Sequence, residues 1–198
     1  APNKDLRLYL DAVENENITI LAVDGLMGTG KTSTCVNSLI DKHLADVKIS
    51  NFTLPEENKR VGHKILIAKP AVNAGGEEYG FLPGDINEKI EPTLRNYTQY
   101  FDRGHQAGFD LLKINGYVDI LPLGFIRGLD AEDMTIVVDE CQNTKELVTV
   151  VTRRAKNSRI FLLGDTSPFQ IDLDGNSPTQ NGLTHTIDLL RGAPYFQY

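Results

Sequence analysis

Ile18-Thr-Ile-Leu-Ala-Val-Asp24 runs directly into Gly25-Leu-Met-Gly28-Thr29-Gly30-Lys31-Thr32-Ser33. The apolar run over residues 18–23 has the composition of a strand buried on both faces. The segment from Gly25 to Thr32 fits G-x-x-x-x-G-K-[ST], and a helix pattern follows from about residue 31 to 44. Strand, glycine loop and helix in that order make a cradle for phosphate. Gly25, Gly28 and Gly30 let the backbone of Thr29 and its neighbours wrap close to phosphate oxygens. The amide groups at the helix start, from Lys31 to Ser33, add the positive end of the helix. Lys31 supplies a charge for the outer phosphates, and the Thr32 hydroxyl is placed to ligate Mg²⁺. The plainer alternative is a glycine-rich turn followed by a chance Lys-Thr.

A second strand-end feature lies about a hundred residues on, at Ile136-Val-Val-Asp139-Glu140. In open α/β sheets ligands collect at the carboxyl ends of strands. Asp139 is therefore the second expected Mg²⁺ group, and Glu140 the group expected to orient and deprotonate an attacking water. A glutamate directly after the strand-end aspartate is similar to the RecA-like branch of P-loop NTPases. That similarity implies an extra strand between the phosphate-loop strand and the Asp-Glu strand. Residues 159–163, ending in Gly164-Asp165, are the obvious occupant, with Asp165 pointing at the terminal phosphate. No N-K-x-D guanine signature stands in a suitable late position, which favours ATP over GTP.

Further strands are expected over 64–68, 117–121, 135–138 and 195–197, and helices over 6–13, 86–102, 145–153 and 181–190. Residues 46–63 and 70–85 read as excursions or loops. Alternating strand and helix predicts an α/β fold with a mostly parallel sheet flanked by helices. With 198 residues and no linker composition, a single domain over 1–198 is expected. The formal charge of -7 argues against coating nucleic acid by bulk charge, though not against a local basic groove. No apolar run is long enough to span a membrane, and no signal-peptide layout stands at the start. Whether a leader or another domain precedes Ala1 stays open. Cys35 and Cys141 fit no metal spacing or disulfide framework, which suits a reducing cytoplasm.

Four blocks resemble the PhoH-like proteins, RecA-like ATPases related to superfamily 1 helicases. They are Gly28-Thr-Gly-Lys-Thr32; Lys69-Pro-Ala-Val-Asn-Ala-Gly75 with Gly80-Phe-Leu-Pro-Gly-Asp85; Leu121-Pro-Leu-Gly-Phe-Ile-Arg127-Gly128 leading into Val138-Asp-Glu-Cys-Gln-Asn143; and Val151-Thr-Arg153, Leu163-Gly-Asp165, Gln170-Ile-Asp172 and Gly182-Leu183. They follow the family's order over nearly the whole chain. The sequence departs from the pattern at Lys69, where the family has Arg, at Leu129 and at Cys141. The spacing from Asp165 to Gln170 is also stretched.

The resemblance implies Mg²⁺-dependent ATP hydrolysis, with Arg127 facing nucleotide in its own or a neighbouring subunit and Gln170 as a γ-phosphate sensor. Arg153 is a further candidate cation, against a helix-end role. The resemblance also implies a homo-oligomer in the form of a six-membered ring, and coupling to RNA or single-stranded nucleic acid. The competing functions are a non-hydrolysing nucleotide switch or assembly subunit, and a small-molecule kinase. The latter lacks a lid segment with paired arginines.

Overall fold

The computed structural model describes residues 4–44, 62–70, 111–144, 147–152, 155–172 and 175–198. Six strands form one parallel sheet: β1 (Ile20–Asp24), β2 (Lys64–Lys69), β3 (Val118–Pro122), β4 (Met134–Val138), β5 (Arg159–Gly164) and β6 (Phe196–Gln197). Their order is β3-β2-β4-β5-β1-β6. β5 therefore lies between the phosphate-loop strand and the Asp-Glu strand, as the RecA-like similarity requires. Ile160 is opposite Ile20 on one side and Ile136 on the other.

The period-two geometry of strands divides their side chains between two cores. Leu21, Ile65, Ile67, Val137, Phe161 and Leu163 pack with Ala12, Val13, Cys35, Val36 and Leu39. Those partners belong to α1 (Lys4–Glu14) and α2 (Lys31–Leu44). Ile20, Leu66, Ile136, Val138, Ile160 and Leu162 face the other way. They meet Leu147, Val150 and Val151 of α3 (Leu147–Val151), and Leu183 and Ile187 of α4 (Gly182–Leu190). With both faces covered, the inner strands read as continuous apolar runs.

α1 exceeds the expected 6–13 by two residues at its start and one at its end. α3 ends at Val151, before the end of the expected 145–153, of which 145, 146 and 153 are not described. The expected excursion over 46–63, the loop over 70–85 and the helix over 86–102 fall outside the described residues, save 62, 63 and 70. No helix among the described residues is long and apolar enough to cross a membrane.

Arg159 opens β5 and is buried. Its Nε donates to Ile18 O at 2.8 Å, Nη1 to Val13 O at 2.6 Å, and Nη2 to Ala12 O at 3.1 Å and Asn15 O at 2.8 Å. The guanidinium also lies over the Phe161 ring, 4.5 Å from its centroid. It satisfies carbonyls that the end of α1 leaves without helical partners, and it sits at the negative end of that helix. Burial pulls the Arg159 pKa down. Arg159→Met is expected to destabilise the fold by about 3 kcal/mol, because several buried carbonyls lose their donors together. Urea titration checks this; a loss under about 1 kcal/mol would mean that water replaces the guanidinium.

His43, near the end of α2, stacks on His63 with ring centroids 4.0 Å apart and planes 17° from parallel. Its Nε2 is buried without a hydrogen-bond partner among the described residues. Burial lowers the His43 pKa first, then the positive charges of Lys42 and Arg159, against an opposing pull from Glu16. The folded state thus binds fewer protons than the unfolded chain near this histidine. Stability should be complete above the ordinary histidine pKa of about 6.5 and decline as pH falls below it. Melting temperatures between pH 7.5 and 5 should show the decline in the wild type and a flatter profile in His43→Gln.

Candidate nucleotide site

The phosphate loop joins β1 to α2 at the carboxyl edge of the sheet. Gly28 and Gly30 have φ of 78° and 81°, a region that L side chains adopt only at a cost. Thr29 Oγ1 donates to Leu26 O at 2.7 Å, and Ser33 Oγ donates to Gly30 O at 3.0 Å, so both hydroxyls brace the loop. Lys31 Nζ donates to Leu26 O at 2.9 Å and also to Gly25 O. The lysine ammonium thus spans the mouth of the loop. Beneath it, the Tyr9 hydroxyl of α1 donates to Lys31 O at 2.8 Å.

Three strand tips converge on this loop. From β4, Asp139 Oδ1 accepts from Thr32 Oγ1 at 3.0 Å. Two oxygen groups that suit a hard cation are therefore in contact, and this donor set fits Mg²⁺. From β5, Asp165 Oδ2 accepts from Met27 N at 2.6 Å and Oδ1 accepts from Ser167 N at 2.9 Å. Asp165 thus grips the loop's backbone at Met27, and its carboxylate bonds the Met27 and Ser167 amides, not the side chains of Lys31 or Thr32. Burial pushes its pKa up, but hydrogen bonds from Ser167 and Met27 and the Lys31 charge outweigh that, leaving it below the usual carboxylate value. From β1, Asp24 accepts from Thr166 N at 3.0 Å and Thr166 Oγ1 at 2.6 Å, tying β1 to the turn after β5.

Glu140 stands just past β4 with φ 55° and ψ 42°, a left-handed conformation that is costly for glutamate. Its N–H donates to Asp139 Oδ1 at 3.1 Å and its carbonyl accepts from Asn143 N at 3.0 Å. Its carboxylate pairs with Lys69 at the end of β2, 3.0 Å away. Cys141 is buried under the turn and donates to Val138 O at 3.1 Å; burial raises its pKa well above the usual thiol value.

Gln142 and Asn143, which in the sequence stand out only as parts of the 138–143 block, join the turn after β4 to the segment after β5. Gln142 Oε1 accepts from Asp165 N at 3.1 Å, and its Nε2 donates to Gln170 O at 3.0 Å. Asn143 Oδ1 accepts from Asp172 N at 2.7 Å. Together they fasten the stretched segment from Asp165 to Asp172 onto the Asp-Glu turn. Gln170 is thus held through its main chain, in a 3₁₀ turn over Pro168–Gln170. Gly182, which opens α4, allows close approach to this turn: a Cβ there would collide with Thr144 O. Side-chain amides directly after a strand-end Asp-Glu are the signal that could have flagged Gln142 and Asn143. Arg127 lies in a 3₁₀ helix over Leu123–Gly128, between β3 and β4, and its side chain is outside the described residues. Arg153 is also outside them.

A parallel α/β sheet with this order, a phosphate loop after β1 and a hydroxyl–carboxylate contact from α2 to β4 defines a RecA-like P-loop fold. The chain belongs to the PhoH-like protein family, whose model matches residues 2–198. It is similar to a PhoH-like protein of Mycobacterium leprae, 34% identical over 185 residues, covering 92% of this chain and 47% of that protein. A PhoH-like protein of Bacillus subtilis is 35% identical over 173 residues, covering 85% and 48%. Protein PhoH2 of the same organism is 28% identical over 199 residues, covering 97% and 41%. The chain spans less than half the length of these relatives.

Proposed function

We propose that this domain binds ATP with Mg²⁺ and hydrolyses it. The observation that carries the proposal is the Thr32–Asp139 contact with Glu140 next in the chain. It brings the phosphate loop and a carboxylate without a phosphate-binding task to one edge. Thr32 and Asp139 would hold Mg²⁺, which neutralises charge on the outer phosphates when bound. Gly25, Gly28, Thr29, Gly30, Lys31 and Ser33 form the cradle. Glu140 takes a proton from water as the water oxygen bonds to the terminal phosphorus. The bond from that phosphorus to the bridging oxygen breaks, and its electron pair stays on ADP. Asp165 keeps the loop in place, and Gln170 lies in the segment that Gln142 fastens beside it.

Charge developing on the transferred group calls for a further cation. Arg127 and Arg153 are the candidates, in cis or from a neighbouring copy in a ring. Leu26, Met27, Phe125 and Phe169 are 66%, 71%, 48% and 91% exposed. All four follow carboxyl ends of parallel strands, which supports a second copy covering this edge. Coupling to RNA or single-stranded nucleic acid belongs to the same proposal. Steady-state phosphate release with and without RNA tests it: a chain that binds Mg²⁺–ATP yet releases no phosphate in either case is a switch, not a hydrolase.

A further inference from the structure

The Lys69–Glu140 pair lies at the carboxyl edge without being part of the phosphate cradle. β2 and β4 are hydrogen-bonded neighbours with Ala68 opposite Val138, and Asp139 N donates to Ala68 O at 2.9 Å. The two backbones are thus locked together up to the residues that carry the pair. Lys69 Nζ donates to Glu140 Oε1 at 3.0 Å. The other oxygen, Oε2, has no hydrogen-bond partner among the described residues, and the Glu140 side chain is 47% exposed. One carboxylate oxygen is therefore anchored and the other is presented to solvent. The left-handed backbone of Glu140 aims the side chain from the turn, and Lys69 fixes its far end. A glutamate without such an anchor distributes over several rotamers, with a broad terminal torsion.

We propose that Lys69 is a positioning residue for water attack, holding Oε1 of Glu140 so that Oε2 receives the proton of the attacking water. This inference rests on the hydrolysis proposed above. β2, whose last residue is Lys69, lies on the far side of β4 from β5 and β1, and the Lys69 ammonium reaches across to the Glu140 carboxylate. The prediction is a change in turnover with no change in nucleotide affinity.

The test uses the full chain with Lys69→Met, Lys69→Gln and Lys69→Arg, each checked for a wild-type melting curve. Turnover is read by phosphate release and affinity by titration with Mg²⁺–ATP. Lys69→Met and Lys69→Gln should lower kcat by roughly 10- to 100-fold, with Kd changed less than about twofold. Lys69→Arg, which keeps a cation in reach, should recover most of the rate. In single-turnover assays Lys69→Met should add no further loss to Glu140→Gln, because its effect passes through that carboxylate. A wild-type kcat in Lys69→Met, a parallel loss of affinity, or multiplying losses in the double variant would overturn the positioning role while leaving hydrolysis standing. A wild-type chain that binds Mg²⁺–ATP and never releases phosphate would overturn both.

Discussion

Glu140→Gln is expected to bind Mg²⁺–ATP with wild-type affinity and to release phosphate about 10²- to 10⁴-fold more slowly. The amide matches the carboxylate in shape, so the turn over Cys141–Asn143 and the Asn143 bond to the Glu140 carbonyl should persist. Asp139 and Thr32 keep their contact, since neither bond depends on the Glu140 side chain. What the substitution removes is the proton acceptor, together with the charge that Lys69 holds at 3.0 Å. Binding by fluorescence titration and turnover by phosphate release separate the two effects. Hydrolysis at the wild-type rate would exclude Glu140 as the base. A loss of affinity equal to the loss of rate would move the residue into the binding site instead.

Lys31→Ala should weaken Mg²⁺–ATP binding by about 100-fold or more, from the loss of about 3 kcal/mol of charge-assisted contacts to the outer phosphates. In the structure its ammonium bonds to Leu26 O and Gly25 O, so it already sits where the loop closes. Truncation therefore removes a phosphate ligand and also two bonds that brace the loop. Asp165 still holds the loop through Met27 N, which should keep the fold intact. The two causes can be told apart with ADP. If the lysine mainly meets the terminal phosphate, ATP affinity should fall more than ADP affinity. Equal losses would point to a collapsed loop.

Much of this site is legible in residues that are close together in the chain. The glycine loop is one continuous segment, and its demands on backbone conformation appear directly as Gly28 and Gly30. Asp139-Glu140 follows a short apolar, β-branched run that reads as a buried strand, and β4 is that strand. Less legible were the contacts between tips of different strands. Asp24 with Thr166, Asp165 with Met27 and Lys69 with Glu140 each join residues at least seventy positions apart. Whether they touch depends on which strands are neighbours and in what register. Arg159 shows the same limit: one charged residue opening an apolar strand carries no sign that four carbonyls will surround it.

The sequence by itself determined the α/β class, the phosphate loop, the Asp-Glu strand end and, through its motif order, the family. These rest on local patterns: a period of two or 3.6 residues, and backbone freedom at glycine. Only the tertiary structure decided how Asp165 acts, how Gln142 and Asn143 hold the stretched segment, and that Lys69 grips Glu140. Hydrogen bonds and ion pairs form over about 3 Å, a distance that chain separation does not encode until the sheet sets its strands side by side.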